Sequence, residues 1–132
     1  MKQVLDTRFL IDYYYSDDEE IRQKINHKMK ELAHNSIGII PSIVICETIQ
    51  LICSRDGKQK AEMIYLSIMT SGMKIESLTP SIAKEAGILK STYRHIPMGD
   101  CIIAATAIRN QAKIISDDSH FDSIEETKRT WL

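Results

Sequence analysis

Glycine, proline and aromatic side chains are scarce in this chain, at five, three and 6% respectively. No Gly/Ser/Pro-rich stretch interrupts it, so a flexible linker, a low-complexity tail and a collagen-like or repeat architecture are excluded. Long hydrophobic runs are absent too. The most apolar segment, residues 37–53, is broken by Pro41 and Glu47, and the N-terminus reaches Asp6 and Arg8 after only a few apolar residues. Neither pattern suits a membrane span or a secretory leader, and an intracellular, cytoplasmic protein is expected. Three cysteines, Cys46, Cys53 and Cys101, form an odd set inside apolar segments. They predict reduced core thiols rather than a disulfide framework or a zinc site.

An excess of one charge is also missing, since the formal net charge is −1. That argues weakly against a nucleic-acid partner, because phosphate binding usually draws on a basic surface. The objection depends on where the acids lie. If four of the 18 acidic residues were buried around cations, the 17 basic residues would face 14 acids and the remaining surface would carry +3.

What is present is an alternation of short apolar runs with helical patterns over 132 residues, enough for one domain, residues 1–132. Residues 2–5 predict a strand, and Asp6-Thr7 an N-cap for the apolar turn that follows. Asp17-Asp18-Glu19-Glu20 places negative charge at the head of a polar helix reaching about His34, with Ile21, Ile25, Met29 and Leu32 on one stripe. Residues 37–40 predict a second strand. Helices are expected from Pro41-Ser42 to about Cys53 and from Lys58 to Thr70, then a strand over 73–77. Thr79-Pro80 supplies cap and first-turn signals for a helix to about Tyr93, which His95-Ile96-Pro97 ends. An Ala-rich apolar helix over 98–110, a strand over 113–116 and an edge strand in the Arg129–Leu132 tail complete the reading. Strands alternating with helices imply parallel crossovers, hence a three-layer α/β/α domain with a central, mainly parallel sheet of four to five strands.

In such sheets ligands bind beyond the carboxyl ends of the strands. Asp6 directly follows the first strand and Asp118 follows the fourth by two residues. Glu47 and Asp100 are conspicuous differently, as isolated charges in the apolar runs Ile43–Ile49 and Asp100–Ala105. A lone carboxylate withdrawn from water costs several kcal/mol, so it must be paired, protonated or metal-bound. Each acid has a bland account when taken singly. Asp6 could be a cap, Glu47 an arginine partner, Asp100 a favourable charge at a helix start, and Asp118 a turn residue. Jointly, oxygen donors without His or Cys point to a hard cation, Mg²⁺ or Mn²⁺, and four of them suit in-line phosphodiester hydrolysis.

Four segments then resemble the successive motifs of PIN domains: Val4-Leu5-Asp6-Thr7, Pro41 to Glu47, Ile96 to Ala107 with Pro97-Met98-Gly99-Asp100 at its head, and Ile114-Ile115-Ser116-Asp117-Asp118-Ser119-His120-Phe121. The resemblance spans nearly the whole chain, and a stand-alone PIN domain of this length is similar to toxin ribonucleases of VapC type. It implies Mg²⁺- or Mn²⁺-dependent cleavage of an RNA substrate, a homodimer, and a small antitoxin protein as partner. It assigns catalytic and metal-ligand roles to Asp6, Glu47, Asp100 and Asp118, with Thr7, Ser116 and Asp117 as supporting candidates. Arg8 departs from the Asn or Ser of many members, and Ser116 replaces a common Thr. Asp117 reads as a solvated neighbour rather than a fifth ligand.

The same resemblance leaves an RNA-processing nuclease that is not a toxin, or an inactive PIN binding module, as alternatives. A phosphorylation receiver is set aside because no acid follows the strand at 73–77. His27, His34, His95 and His120 read as solvated side chains, the basic run Arg22 to Lys30 as a solvated face, and Tyr13-Tyr14-Tyr15 as packing or a partner surface.

Overall fold

The computed structural model describes residues 1–132. Five strands alternate with six helices: β1 Gln3–Leu5, α1 Thr7–Tyr15, α2 Glu19–His34, β2 Gly38–Pro41, α3 Ser42–Asp56, α4 Lys58–Met69, β3 Lys74–Glu76, α5 Pro80–Thr92, α6 Met98–Arg109, β4 Lys113–Ile115 and β5 Arg129–Thr130. A short 3-10 turn, Ser119–Ser123, lies between β4 and β5. The caps form where the sequence places them. Asp18 accepts from the Glu20 and Ile21 amides at the start of α2, and Thr79 accepts from the Ile82 amide at the start of α5. Helix α3 runs a turn beyond Cys53, to Asp56, and stops at Gly57, whose φ of 91° favours glycine.

All pairings in the sheet are parallel and its order is β3-β2-β1-β4-β5. The chain moves outward from β1 to β2 to β3, then crosses back so that β4 lies on the other side of β1. The reversal creates a switch point between β1 and β4, where Leu5 registers with Ile115. Residues just after those two positions therefore emerge side by side. The tail does add an edge strand, with Ile114 and Ile115 registered on Arg129 and Thr130.

One core holds the layers together. Val4, Leu5, Ile39, Ile40, Ile114 and Ile115 of the sheet are wholly or almost wholly buried against Phe9, Leu10, Ile25, Leu32, Ile52 and the Cys101–Ala107 stretch of α6. The expectation of three core thiols fails for two of them. Helix α3 buries Val44, Thr48 and Ile52, a four-residue spacing that leaves Cys46 and Cys53 on its outer face. Cys101 alone is buried. Tyr13, Tyr14 and Tyr15 are partly buried: Tyr13 and Tyr14 meet edge to face at 4.9 Å, the Tyr14 hydroxyl donates to Ser67, and Arg55 lies 4.1 Å from the Tyr15 ring centre. Exposed apolar side chains gather elsewhere, on α4, where Met63 and Leu66 are each 62% exposed. No helix is long and apolar enough to cross a membrane.

Candidate metal centre at the switch point

Asp6 is the most buried acid of the molecule, 3% exposed, because it leaves β1 and enters α1 within one residue. Its amide donates to the Ile115 carbonyl at 3.2 Å, tying the ends of β1 and β4 together. One carboxylate oxygen accepts the Thr7 amide at 2.8 Å, and the other accepts the Ser116 hydroxyl at 2.6 Å. Asp6 is thus both the cap expected of it and a carboxylate locked in one orientation.

Ser116 organises the other side. Its hydroxyl oxygen accepts the Asp118 amide at 2.9 Å, and its backbone amide donates to Thr130 at 3.0 Å. Arg129 donates to the Ser116 carbonyl at 3.0 Å while pairing with Asp122 through two 2.9 Å bonds. Strand β5 therefore braces the loop that carries Asp118. Asp118 in turn caps the 3-10 turn by accepting the His120 amide at 2.9 Å.

Glu47 and Asp100 approach from the helices. The Thr7 hydroxyl donates to one oxygen of Glu47 at 2.8 Å. A Cβ built on Gly99 would stand 2.8 Å from the other, so the absence of a side chain there lets the start of α6 lie against that carboxylate. Asp100 follows in the first turn of α6. Asp6, Thr7, Arg8, Glu47, Gln50, Leu51, Asp100 and Asp118 line one open groove of about 310 Å³.

The electrostatics report the same convergence. Burial pushes the Asp6 carboxyl up to about 6, against the lowering effect of its Ser116 and Thr7 hydrogen bonds, and the charges of Glu47 and Asp118 add to the rise. Burial also pushes Asp100 up to about 6, helped by Asp6, Asp118 and Glu47 and opposed by His120. No lysine or arginine forms an ion pair with any of the four acids, and the basic side chain beside Asp100 and Asp118 is the imidazole of His120. The private arginine pair considered for Glu47 is therefore not formed. Four carboxylates facing one groove with so little compensation form a donor set that fits a hard divalent cation. Replacing Gly99 by Ala should leave the fold intact but displace the Glu47 carboxylate and weaken Mn²⁺ binding about tenfold, as titration calorimetry would show. Unchanged affinity would mean that Glu47 is not a ligand.

The structure brings Asp6, Glu47, Asp100, Asp118, Thr7 and Ser116 together. It leaves Asp117 outside the group, paired with Arg8 at the rim. Sequence reading assigned no role to Gly99 or Arg129 and took His120 as a solvated side chain. The Gly-Asp pair at the head of α6 was a usable signal for the first. His27, His34 and His95 are exposed, as expected of solvated side chains.

The fold is a parallel α/β domain with an acidic groove at its topological switch point. The PIN domain profile matches residues 4–126, and the chain belongs to the PIN domain family. The fold is similar to a chain of the VapBC2 complex from Rickettsia felis, solved bound to a DNA fragment from its promoter, with a TM-score of 0.78, 21% identity, and 99% and 98% of the two chains covered. A chain of the DNA-bound VapBC complex from Salmonella typhimurium gives a TM-score of 0.78 at 18% identity, covering 99% and 98%. A VapC protein from Mycobacterium tuberculosis, described as a sarcin-ricin loop cleaving toxin, gives 0.72 at 16%, covering 94% and 95%. No curated protein matches the chain in sequence.

Proposed function

We propose that this chain is a divalent-metal-dependent endoribonuclease, the toxin of a toxin–antitoxin pair, in which Asp6, Glu47, Asp100 and Asp118 hold Mg²⁺ or Mn²⁺. The observation that carries this reading is the meeting of four carboxylates in one groove without a lysine or arginine partner. Membership of the PIN family and likeness to VapBC chains support it. When bound, such an ion supplies a Lewis acid that polarises the phosphoryl group and steadies charge developing on the leaving oxygen.

The chain's own residues prepare that chemistry by fixing the donors in advance. Asp6 keeps its orientation through the Thr7 amide and the Ser116 hydroxyl. The Thr7 hydroxyl aims Glu47. Asp118 is held on the braced loop after β4, so these three donors need no ordering when substrate arrives. The groove is open, which suits an extended RNA strand laid across it. Arg8, at its rim, offers a cation to a flanking phosphate.

The same reading extends to partners. Ile45, Cys46, Ile49, Cys53 and Tyr65 line a largely apolar depression of about 590 Å³ on the outer face of α3 and α4, a surface suited to a second copy or an antitoxin helix. An antitoxin would silence the site by placing a basic side chain among the carboxylates, where it competes with the cation. The purified chain should cleave RNA with Mg²⁺ or Mn²⁺, stop in chelator, and stop again in complex with a small antitoxin protein. Cleavage that persists in chelator would refute the metal role, and full cleavage in the verified complex would refute the inhibitory one.

A further inference from the structure

His120 is exposed, as expected of a solvated side chain, and it also stands beside two of the four acids. Its Nδ1 lies 3.4 Å from Asp118 Oδ1 and 3.8 Å from Asp100 Oδ2. Both separations exceed the ~2.7–3.2 Å of good N–H···O hydrogen bonds, so hydrogen bonding alone does not account for the placement. They match instead the spacing of neighbouring donors on one ion, since ligands ~2.0–2.3 Å from a shared cation stand ~3–4 Å apart. One donor atom from each of Asp100, Asp118 and His120 falls within 4.8 Å of the other two.

The position is built rather than incidental. The His120 amide is bound to Asp118 at 2.9 Å, and the turn that carries it is anchored by Phe121 and Ile124, which are 0% and 1% exposed. The imidazole thus stands on the same short turn that Asp118 caps, and its Nδ1 faces the carboxylates.

We propose that His120 is a nitrogen donor to the cation held by the acidic groove, so that the site takes a first-row divalent transition ion such as Mn²⁺ in preference to Mg²⁺. The inference rests on the reading of the groove as a metal centre. Carboxylates and water serve Mg²⁺ and Mn²⁺ alike, whereas imidazole adds affinity for transition ions and gives little to Mg²⁺. The mixed donor set is therefore selective where an all-oxygen set is not.

Pulsed electron paramagnetic resonance of the Mn²⁺-loaded chain, with its histidines labelled with ¹⁵N, reads the bond directly. The expected result is a nitrogen coupling in the wild-type protein that disappears in His120→Ala. Calorimetry should show Mn²⁺ binding weakened about tenfold or more by that substitution, with Mg²⁺ binding nearly unchanged. Mn²⁺ bound without nitrogen coupling would overturn the role of His120 and leave the metal centre standing. Failure of the wild-type chain to bind either ion would overturn both. The wild-type spectrum decides the matter even if His120→Ala does not fold.

Discussion

Replacing Asp100 by Asn is expected to leave the chain folded and to lower metal-dependent RNA cleavage by about a hundredfold to a thousandfold, the effect of several kcal/mol of lost charge stabilisation. The amide keeps the shape of the carboxylate and removes its charge. Asp100 belongs to the first turn of α6, and its carboxyl is held up to about 6 by burial and by Asp6, Asp118 and Glu47. Removing one of four mutually repelling charges should therefore stabilise the metal-free protein while disabling the enzyme. The paired outcome separates a site residue from a structural one, because loss of a structural carboxylate would lower stability and activity together. A folded Asp100→Asn chain with full activity, from a preparation free of other nucleases, would end the proposed role.

A second large effect is expected in the pH dependence of stability without metal. An aspartate in the unfolded chain titrates near ~3.9. Asp6 and Asp100 titrate at about 6 in the folded one. Between those values the folded state binds more protons than the unfolded state, so stability falls as pH rises. These groups favour folding most below about 4, lose that contribution as pH passes through about 6, and change little above it.

The displacement of Asp6 corresponds to about 3 kcal/mol at full effect, and Asp100, more open to water and coupled to Asp6, adds less. Urea denaturation in chelator should thus give a higher unfolding free energy at pH 5 than at pH 7. Saturating Mn²⁺ should remove the difference, because the ion prefers the ionised carboxylates of the folded state. A metal-free protein that gains stability steadily from pH 5 to pH 7 would contradict the crowded-carboxylate account.

Much of this site could be read from the sequence because its four acids break local patterns. Asp6 and Asp118 follow short apolar runs that only a buried parallel strand explains. Glu47 interrupts an apolar run of α3, and Asp100 heads the stretch of α6 that buries Cys101 and Ile103 to Ala107. Such violations are local and need no knowledge of neighbours. The supporting geometry was hidden for the opposite reason. Ser116 meets Asp6 across 110 positions of chain, and Thr7 meets Glu47 across 40. The fit of Gly99 against Glu47 depends on how α6 approaches α3. His120 lies on a five-residue 3-10 turn, too short for any periodicity to show which way its ring faces. The cysteines were misplaced because α3 is apolar on both faces, so composition could not say which stripe would be buried.

Crystals of the chain loaded with Mn²⁺ and measured for anomalous scattering test the central claim most directly. The account predicts a strong anomalous peak in the groove between β1 and β4, within coordinating distance of carboxylate oxygens of Asp6, Glu47, Asp100 and Asp118, directly or through a single water. A groove without a peak at saturating Mn²⁺, or a peak held by other residues elsewhere on the surface, would contradict it.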